Sequence, residues 1–289
     1  QLLGLQPAIA NTIAISSHRT TDPQIQMLLR QPNNFFKLLT LYSVRNEIQV
    51  DMRPFFESNP TAASLWYFAY FHAAGSYPTA LIHENMRRHM SQPDERLQLL
   101  DHQVLTAYFN STYVDNELHR NVKIKINTLI QEFILGSQIR NRPDGETLAV
   151  ITSKWFSSSS VYRCYAKAVQ ALAERYPLEL VHLGPARDDL DTGPFRRVRR
   201  MELEGLKINL DDVVDNTFQL AFYPDIGMSF ESLYTSNLRL APIQVMAYGH
   251  PASTFGSQID YFIGGAEIEL LEDAERNYTE RLVVIPGNG

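Results

Sequence analysis

The sequence has a single cysteine and no long apolar run. Cys164 has no second cysteine to pair with, which excludes an internal disulfide, and no Cys/His set has the spacing of a metal site. A run of ~20 apolar residues, as a transmembrane helix requires, is absent, and no signal peptide is visible in a chain that begins at Gln1. These absences predict a cytoplasmic protein without a membrane span, a metal or a cofactor.

The excess of charge is small and negative. The 289 residues include 26 Lys and Arg and 32 Asp and Glu, which gives a formal net charge of −6. A mildly acidic chain is a poor partner for nucleic acid or for an anionic membrane. Residues 196–200 form a short basic cluster in which an apolar residue is interspersed, and we interpret it as the solvated face of a strand.

The first half of the chain has a helical pattern. Apolar residues recur at i, i+3 and i+4, prolines punctuate the segments, and no 34-residue repeat is present. The turn-rich segment 141–146 then marks a boundary, so we predict an all-α domain over residues 1–143. Its predicted helices begin at Pro23, Asn34 and Pro93 and span 61–71, which is apolar nearly all round, and 118–135, which stops at Gly136.

The second half, residues 144–289, alternates short apolar strands with helices. This alternation predicts an α/β domain with a parallel sheet covered on both faces. The predicted strands are 147–153, 178–184, 218–223, 243–248, 260–263 and 281–285, and the predicted helices are 161–176, 209–215 and 230–239.

Candidate site residues follow three of the predicted strands, because ligands of open α/β sheets bind beyond the carboxyl ends of the strands. In the first loop, 152–163, serines are expected to cap the next helix, and free backbone N–H groups favour an anion or a polar ligand. The loop lacks G-x-G-x-x-G, so no dinucleotide fingerprint is present. A capped loop without a ligand is the equally weighted alternative.

The second loop, 223–228, contains a turn glycine, and the third loop, 247–254, contains a histidine. Gly227 would let the backbone approach a substrate closely, His250 would exchange a proton near neutral pH, and the hydroxyl of Thr254 suits sugar or phosphate oxygens. A purely structural histidine is the alternative. The residues alone indicate a ligand-binding lobe with a helical partner and do not specify a reaction.

The order and spacing of these loops resemble glycosyltransferase family 41. The resemblance rests on Tyr-Pro-Asp-Ile-Gly-Met-Ser at 223–229, Leu-Arg-Leu-Ala-Pro-Ile-Gln-Val-Met-Ala-Tyr-Gly-His-Pro-Ala-Ser-Thr at 238–254 and Ile-Asp-Tyr-Phe-Ile at 259–263. It covers about residues 105–289. Within the family, the chain resembles the bacterial cytoplasmic N-glycosyltransferases that modify adhesins more strongly than it resembles the O-GlcNAc transferases.

The resemblance implies a GT-B fold, in which two Rossmann-like lobes face each other across a cleft behind a helical domain. Residues 144–289 would be the N-terminal, acceptor-side lobe. The implied reaction is inverting, metal-independent transfer of a hexose from a UDP-sugar, a substrate rather than a cofactor, to a polypeptide side chain, most readily Asn. Since the chain ends at 286–289, where a C-terminal lobe is expected to begin, the lysine and uridine pocket of that lobe would lie outside it, and the chain alone would be inactive.

The resemblance also implies which residues act. Relatives have a histidine-rich loop where this chain has Lys154, Phe156 and Ser159, and a serine does not titrate near neutral pH. Two alternatives therefore stay open, a non-catalytic polypeptide-binding module derived from the family and an O-linked Ser/Thr transferase. The implied catalytic residue is His250, and the implied substrate-binding residues are Lys154, Ser159, Tyr162, Arg163, Asp225, Gly227, Gly249, Pro251 and Thr254.

Overall fold

The computed structural model describes residues 2–31, 34–73, 79–100, 103–269 and 272–289. The chain divides into two compact units, residues 1–129 and 130–289. This division falls inside a helix, so the last turn of that helix belongs to the second unit.

The first unit is helical, as predicted. Its buried centre is the apolar helix α5 (Pro60–Tyr70), where Trp66 is 2% exposed and Ala63 is 0% exposed. The Asn59 side chain caps α5 by accepting the Ala62 N–H at 3.0 Å, and Pro60 occupies the first turn. The helices are α1 (Gln6–Ala14), α2 (Asp22–Leu29), α3 (Phe35–Leu41), α4 (Arg53–Ser58), α5 (Pro60–Tyr70), α6 (Ala80–Ser91), α7 (Gln103–Ser111) and α8 (His119–Phe133).

The helix predicted to begin at Pro93 is wrong, and the helix predicted over 118–135 is shorter, because it ends at Phe133. Residues 93–100 form turns and extended chain, because the Asp94 carboxylate accepts the Arg96 N–H at 2.8 Å and so offers the backbone an alternative to the helix. After α8, Gly136 has a φ of 95°, the left-handed conformation that ends helices.

The second unit is a mixed α/β structure with a mainly parallel sheet. The strands of this unit are β1 (Arg140–Asn141), β2 (Leu148–Thr152), β3 (Leu178–Leu183), β4 (Arg197–Glu204), β5 (Lys207–Asn209), β6 (Asp215–Asn216), β7 (Leu220–Tyr223), β8 (Ile243–Met246), β9 (Tyr261–Gly265) and β10 (Arg281–Ile285). Strands β1 and β6 form a separate parallel pair, and the other eight form one sheet in the order β10-β9-β8-β7-β2-β3-β4-β5, in which each neighbouring pair is parallel except β4 and β5. All six residues of β3 are buried, so the sheet is covered on both faces there, as predicted.

Two helices of the second unit are α9 (Ser160–Ala173) and α10 (Phe230–Thr235). Helix α9 places Val161, Tyr165 and Val169 in a buried apolar cluster with β2 and β3, which is the face expected from their i, i+4, i+8 spacing. The helix predicted over 209–215 is wrong: this segment leaves β5, turns where the Asn209 side chain accepts the Asp211 N–H at 2.9 Å, and enters β6. Helix α10 is also shorter than predicted.

The basic cluster is not wholly solvated, which corrects the interpretation of residues 196–200. Arg197 and Arg200 of β4 are exposed, but Arg199 is 7% exposed and lies 2.6 Å from the Glu179 carboxylate of β3. The guanidinium also lies 5.3 Å from the centre of the Phe218 ring. A buried arginine is tolerated here because a buried carboxylate pairs with it.

Candidate functional site

The carboxyl ends of β2, β7 and β8 meet at one edge of the second unit, because these strands are neighbours in the order β8-β7-β2. Asp225, two residues beyond β7, is 0% exposed and connects two of the loops. Its Oδ2 accepts the N–H of Ser153 at 3.4 Å and the hydroxyl of Ser153 at 3.3 Å. The loops after β2 and β7 are therefore joined through this carboxylate.

Gly249 joins the third loop to the other two. A Cβ placed on Gly249 would lie 2.3 Å from both the Cα of Asp225 and the carbonyl oxygen of Pro224, and backbone atoms cannot yield easily to such an overlap. The loop after β8 can rest on the loop after β7 only because residue 249 has no side chain. We call the contacting set Ser153, Asp225 and Gly249 the loop junction.

A turn fixes the backbone of Asp225. Gly227 has a φ of 84°, which favours glycine, and the Met228 N–H donates to the Asp225 carbonyl at 3.0 Å. The hydroxyl of Ser232 donates to the same carbonyl at 3.0 Å. The expected turn at Gly227 is present, and it orients Asp225 toward the loop after β2.

The Asp225 carboxyl binds its proton unusually tightly. Burial raises the pKa of Asp225 to about 6, against the lowering effect of hydrogen bonds from Thr152 and Ser153 and of the positive charge of Lys154. Its Oδ1 is buried without a hydrogen-bond partner among the residues that the structure describes. The loop junction thus contains an acid that exchanges a proton near neutral pH, which a sequence pattern does not reveal.

His250 follows Gly249 and is 1% exposed, whereas the next residue, Pro251, lies at the surface. The carbonyl of His250 accepts the Ala252 N–H at 2.9 Å and closes a tight turn. In this conformation the imidazole is covered, so contact with a ligand requires the loop to open. The catalytic role of His250 and the binding roles of Gly249 and Pro251 stay predictions.

Both the backbone and the side chain of Thr254 bind a buried carboxylate, that of Glu280. Its backbone N–H donates to Glu280 at 2.9 Å and its hydroxyl donates to the same carboxylate, while the hydroxyl of Ser253 donates to the other Glu280 oxygen at 2.6 Å. Glu280 is 6% exposed and immediately precedes β10. This anchor was missed from the sequence because Glu280 belongs to no motif, and a ligand-binding role for Thr254 stays a prediction.

A second carboxylate anchors the start of the loop after β8. The hydroxyls of Tyr248 and Tyr278 both donate to Glu269, the latter at 2.6 Å. Burial, and to a smaller extent the hydrogen bond to Glu269, raises the pKa of Tyr248 to about 12. Glu269 and Glu280 together hold the segment 248–254 at both ends.

The loop between β2 and α9 only partly matches expectation. Lys154 is half-buried, and its N–H donates to the Thr152 hydroxyl at 2.9 Å. Ser159 occupies the N-cap position of α9, yet its side chain makes no capping hydrogen bond, so the predicted serine cap is absent at this residue. The backbone N–H of Ser159 donates to the Phe156 carbonyl at 2.9 Å, and this hydrogen bond closes a turn ahead of the helix.

Tyr162 and Arg163, in the first turn of α9, contact residues outside the loop junction. The Tyr162 hydroxyl donates to Asp191, in the loop after β3, at 2.7 Å. Arg163 donates to the Ser158 carbonyl at 3.0 Å and is otherwise exposed. Their predicted binding roles are untested by these contacts, and the structure does not place them with Asp225.

Within the described ranges, no three His, Cys, Asp or Glu side chains are grouped to hold a metal ion. A search of the same residues finds no helix with both the length and the apolarity to cross a bilayer.

The chain is similar in sequence to known protein glycosyltransferases. No family model matches the chain. A UDP-glucose:protein N-beta-glucosyltransferase of Actinobacillus pleuropneumoniae serotype 5b (strain L20) is 27% identical over 198 residues, which is 62% of this chain and 30% of that protein. The enzyme of the same name from serotype 7 (strain AP76) is 36% identical over 89 residues, 29% of this chain and 14% of that protein. The resemblance to glycosyltransferase family 41 is confirmed.

The family 41 resemblance is partial in length. The chain spans less than a third of the length of these two glucosyltransferases. Among solved structures, a mutant of Thermobaculum terrenum O-GlcNAc transferase aligns with 98% of this chain and 57% of its own, at 13% identity and a TM-score of 0.40. So low a TM-score does not establish a shared fold.

Proposed function

We propose that this chain is the helical and acceptor-side part of a cytoplasmic protein glycosyltransferase with a GT-B fold. The complete enzyme would transfer a hexose from a UDP-sugar to an asparagine side chain of a polypeptide such as an adhesin, with inversion and without a metal. The observation that supports this proposal most is the partial sequence identity, 27% and 36%, to two protein N-glucosyltransferases. The UDP-binding residues would belong to a second lobe outside this chain.

The positions of the matching segments support the same proposal. Residues 223–229 include the loop after β7, residues 238–254 include β8 and the loop after it, and residues 259–263 lead into β9. The first two segments on which the resemblance rests thus supply two loops that meet at Gly249, at the carboxyl edge of the sheet where α/β proteins bind ligands.

The proposed reaction forms a bond between the acceptor nitrogen and the anomeric carbon of the sugar. The bond from that carbon to the diphosphate breaks on the opposite face, and UDP leaves with the electron pair. His250 would accept the proton lost by the acceptor once the loop has opened. The half-buried Lys154 would place positive charge near developing negative charge.

A polypeptide-binding module without transferase activity is the second candidate. It is favoured by Lys154, Phe156 and Ser159, which stand where the family resemblance implies histidines, and by the burial of His250. An O-linked transferase would use the same lobe on Ser or Thr.

The test is to incubate the full-length protein with UDP-glucose and a peptide containing Asn-X-Thr, and to measure peptide mass. The proposal expects a mass increment of one hexose that fragmentation places on Asn. An increment on Ser or Thr would support the O-linked alternative. Peptide binding without any increment, across the common UDP-sugars, would support the binding module and reject the enzyme.

A further inference from the structure

The loop after β8 is fastened at its two ends by buried or half-buried carboxylates. The hydroxyl of Tyr248 holds one end to Glu269, and the hydroxyl of Ser253 holds the other end to Glu280 at 2.6 Å. Residues 249–252 lie between these two attachments, and we call them the lid. Because both ends are fixed, a movement of this loop is confined to the lid.

The backbone hydrogen bonds of the lid stay within the loop. The N–H of Gly249 donates to the Ala247 carbonyl at 2.8 Å, and the N–H of Ala252 donates to the His250 carbonyl at 2.9 Å. These two bonds close turns and do not attach the lid to another element. The imidazole of His250, which is 1% exposed, is covered as long as the lid is closed.

The closed lid rests on Asp225 by packing. A Cβ on Gly249 would lie 2.3 Å from the Cα of Asp225 and from the Pro224 carbonyl oxygen, so backbone lies on backbone there. The loop after β2 contacts the same residue differently, since the N–H and the hydroxyl of Ser153 both donate to Oδ2 of Asp225. Oδ1 is buried and has no hydrogen-bond partner among the described residues, so water reaches it only if a neighbouring segment moves.

Ionisation of Asp225 acts differently on the two neighbouring loops. Hydrogen bonds to an ionised carboxylate are about twice as strong as those to a neutral group, so the bonds from Ser153 become tighter. The packing contact of Gly249 gains nothing from the charge. Meanwhile the buried negative charge on Oδ1 is costly until water solvates it. The lid is therefore the segment that gives way when the carboxyl loses its proton.

Three charged or titratable side chains lie on the elements that pack against Asp225. They are Lys154 in the loop after β2, Glu231 in α10 and His250 in the lid. The positive charge of Lys154 lowers the pKa of Asp225, but burial acts more strongly and raises it to about 6. The closed lid thus favours the protonated carboxyl in spite of the nearby lysine.

We propose that loss of the Asp225 proton lifts the lid and exposes His250, so that a proton at the loop junction regulates access to this edge of the sheet. As a control on sugar transfer the inference rests on the proposed function, whereas the movement itself does not. The carboxyl has a pKa of about 6 when covered and 3.8 when unburied. The ratio of lifted to closed lid should therefore rise about tenfold from pH 5 to pH 7.

The test follows amide hydrogen exchange of the intact chain at pH 5, 6 and 7. Neither donor nor acceptor is present, so a protein that transfers no sugar still reports on the lid. Dividing out the chemical exchange rate at each pH gives protection factors, which follow the opening equilibrium when reclosing is fast. Those of Gly249 and Ala252 should fall about tenfold from pH 5 to pH 7. They should also stay far below those of β3, whose amides need wider unfolding to exchange.

Three variants identify the titrating group. In Asp225→Asn, which does not ionise, the lid protection factors should be nearly constant with pH, and hydroxyl radicals should oxidise His250 more slowly at pH 7 than in wild type. Glu231→Gln is the matched control and should keep the tenfold fall. Lys154→Met should move the fall to higher pH, because the lysine charge lowers the pKa of Asp225. Far-ultraviolet circular dichroism checks that each variant folds.

The proposal is overturned if the wild-type protection factors of the lid do not fall between pH 5 and pH 7, or if they equal those of β3. It is also overturned if folded Asp225→Asn shows the wild-type fall, or if His250 is oxidised equally fast in both proteins at pH 7. Should Asp225→Asn not fold, Lys154→Met decides, since a fall at the wild-type pH in that variant would contradict titration of Asp225.

Discussion

Replacing Arg199 with alanine is expected to lower the free energy of unfolding of the second unit by about 3–5 kcal/mol. Glu179 and Arg199 are both nearly inaccessible, with side-chain exposures of 5% and 8%, and their charged groups lie 2.6 Å apart. Removing the Arg199 guanidinium leaves the Glu179 carboxylate of the buried strand β3 with Arg196, an exposed arginine 3.2 Å away, as its remaining ion-pair partner. A buried charge that loses its closest partner is costly. Urea unfolding followed by circular dichroism measures the change.

Two further variants separate burial from charge. Arg140→Ala removes an exposed arginine that pairs with Asp215 at 2.6 Å, and should change stability much less, because solvent screens an exposed ion pair. The double variant Arg199→Met with Glu179→Leu should recover most of the lost stability, because apolar residues of similar volume replace buried ion pairs well. A cost for Arg199→Ala as small as that for Arg140→Ala would show that the pair is not buried as described.

Replacing Asp225 with asparagine is expected to change how stability depends on pH. Burial raises the pKa of Asp225 from 3.8 to about 6, so the folded protein binds more protons than the unfolded chain between about pH 4 and 6. The wild-type carboxyl therefore costs stability as pH rises through this window, by about 3 kcal/mol in total. Asparagine keeps the shape, does not ionise and avoids that cost.

The measured quantity is the difference in unfolding free energy, Asp225→Asn minus wild type, at pH 4, 5, 6, 7 and 8. It should increase by about 2 kcal/mol from pH 4 to pH 6 or 7 and then level off. Asp211→Asn, at an exposed position of the same unit, provides the matched control and should give a difference that varies little with pH. A difference for Asp225→Asn that is constant across the range, or that decreases as pH rises, would contradict a buried Asp225 with a raised pKa.

The sequence predicts the centre of the fold better than its edges. Strands β2, β3 and β7–β10 are apolar enough to stand out, and their alternation with helices indicates parallel pairing. Strands β1 and β6 have two residues each, and they exist because Arg140 and Asn141 pair with Asp215 and Asn216. Pairing between segments so far apart leaves no periodicity in either one.

Local hydrogen bonds account for the helices that were wrongly predicted. At Asp94 and at Asn209, a side-chain oxygen accepts a backbone N–H two residues later and favours a turn. Acidic and amide residues at a helix start produce the same sequence pattern whether they cap a helix or close a turn, so the pattern alone cannot distinguish the two.

The candidate site was found in outline but not in its chemistry. The loops that contain Gly227 and His250 could be recognised because family 41 proteins share their spacing. The bond from Ser153 to Asp225 joins residues 72 positions apart, and the pKa of Asp225 depends on burial that only the folded chain creates. Likewise, the apolar pattern of α5 predicted a buried helix, whereas the contacts of Trp66 and Tyr70 with His89 of α6 depend on how the two helices pack.

The most direct test of the central claim, that the carboxyl edge of this sheet supports protein glycosylation, is hexose transfer by the full-length protein with and without His250. His250→Ala should reduce transfer to the Asn-X-Thr peptide by about 100-fold or more, as loss of a general base does, while an unchanged circular dichroism spectrum shows that the variant is folded. His18→Ala, an exposed histidine of the helical unit, should transfer hexose at the wild-type rate. Wild-type transfer by a folded His250→Ala protein would contradict the account and reduce this loop to a structural element.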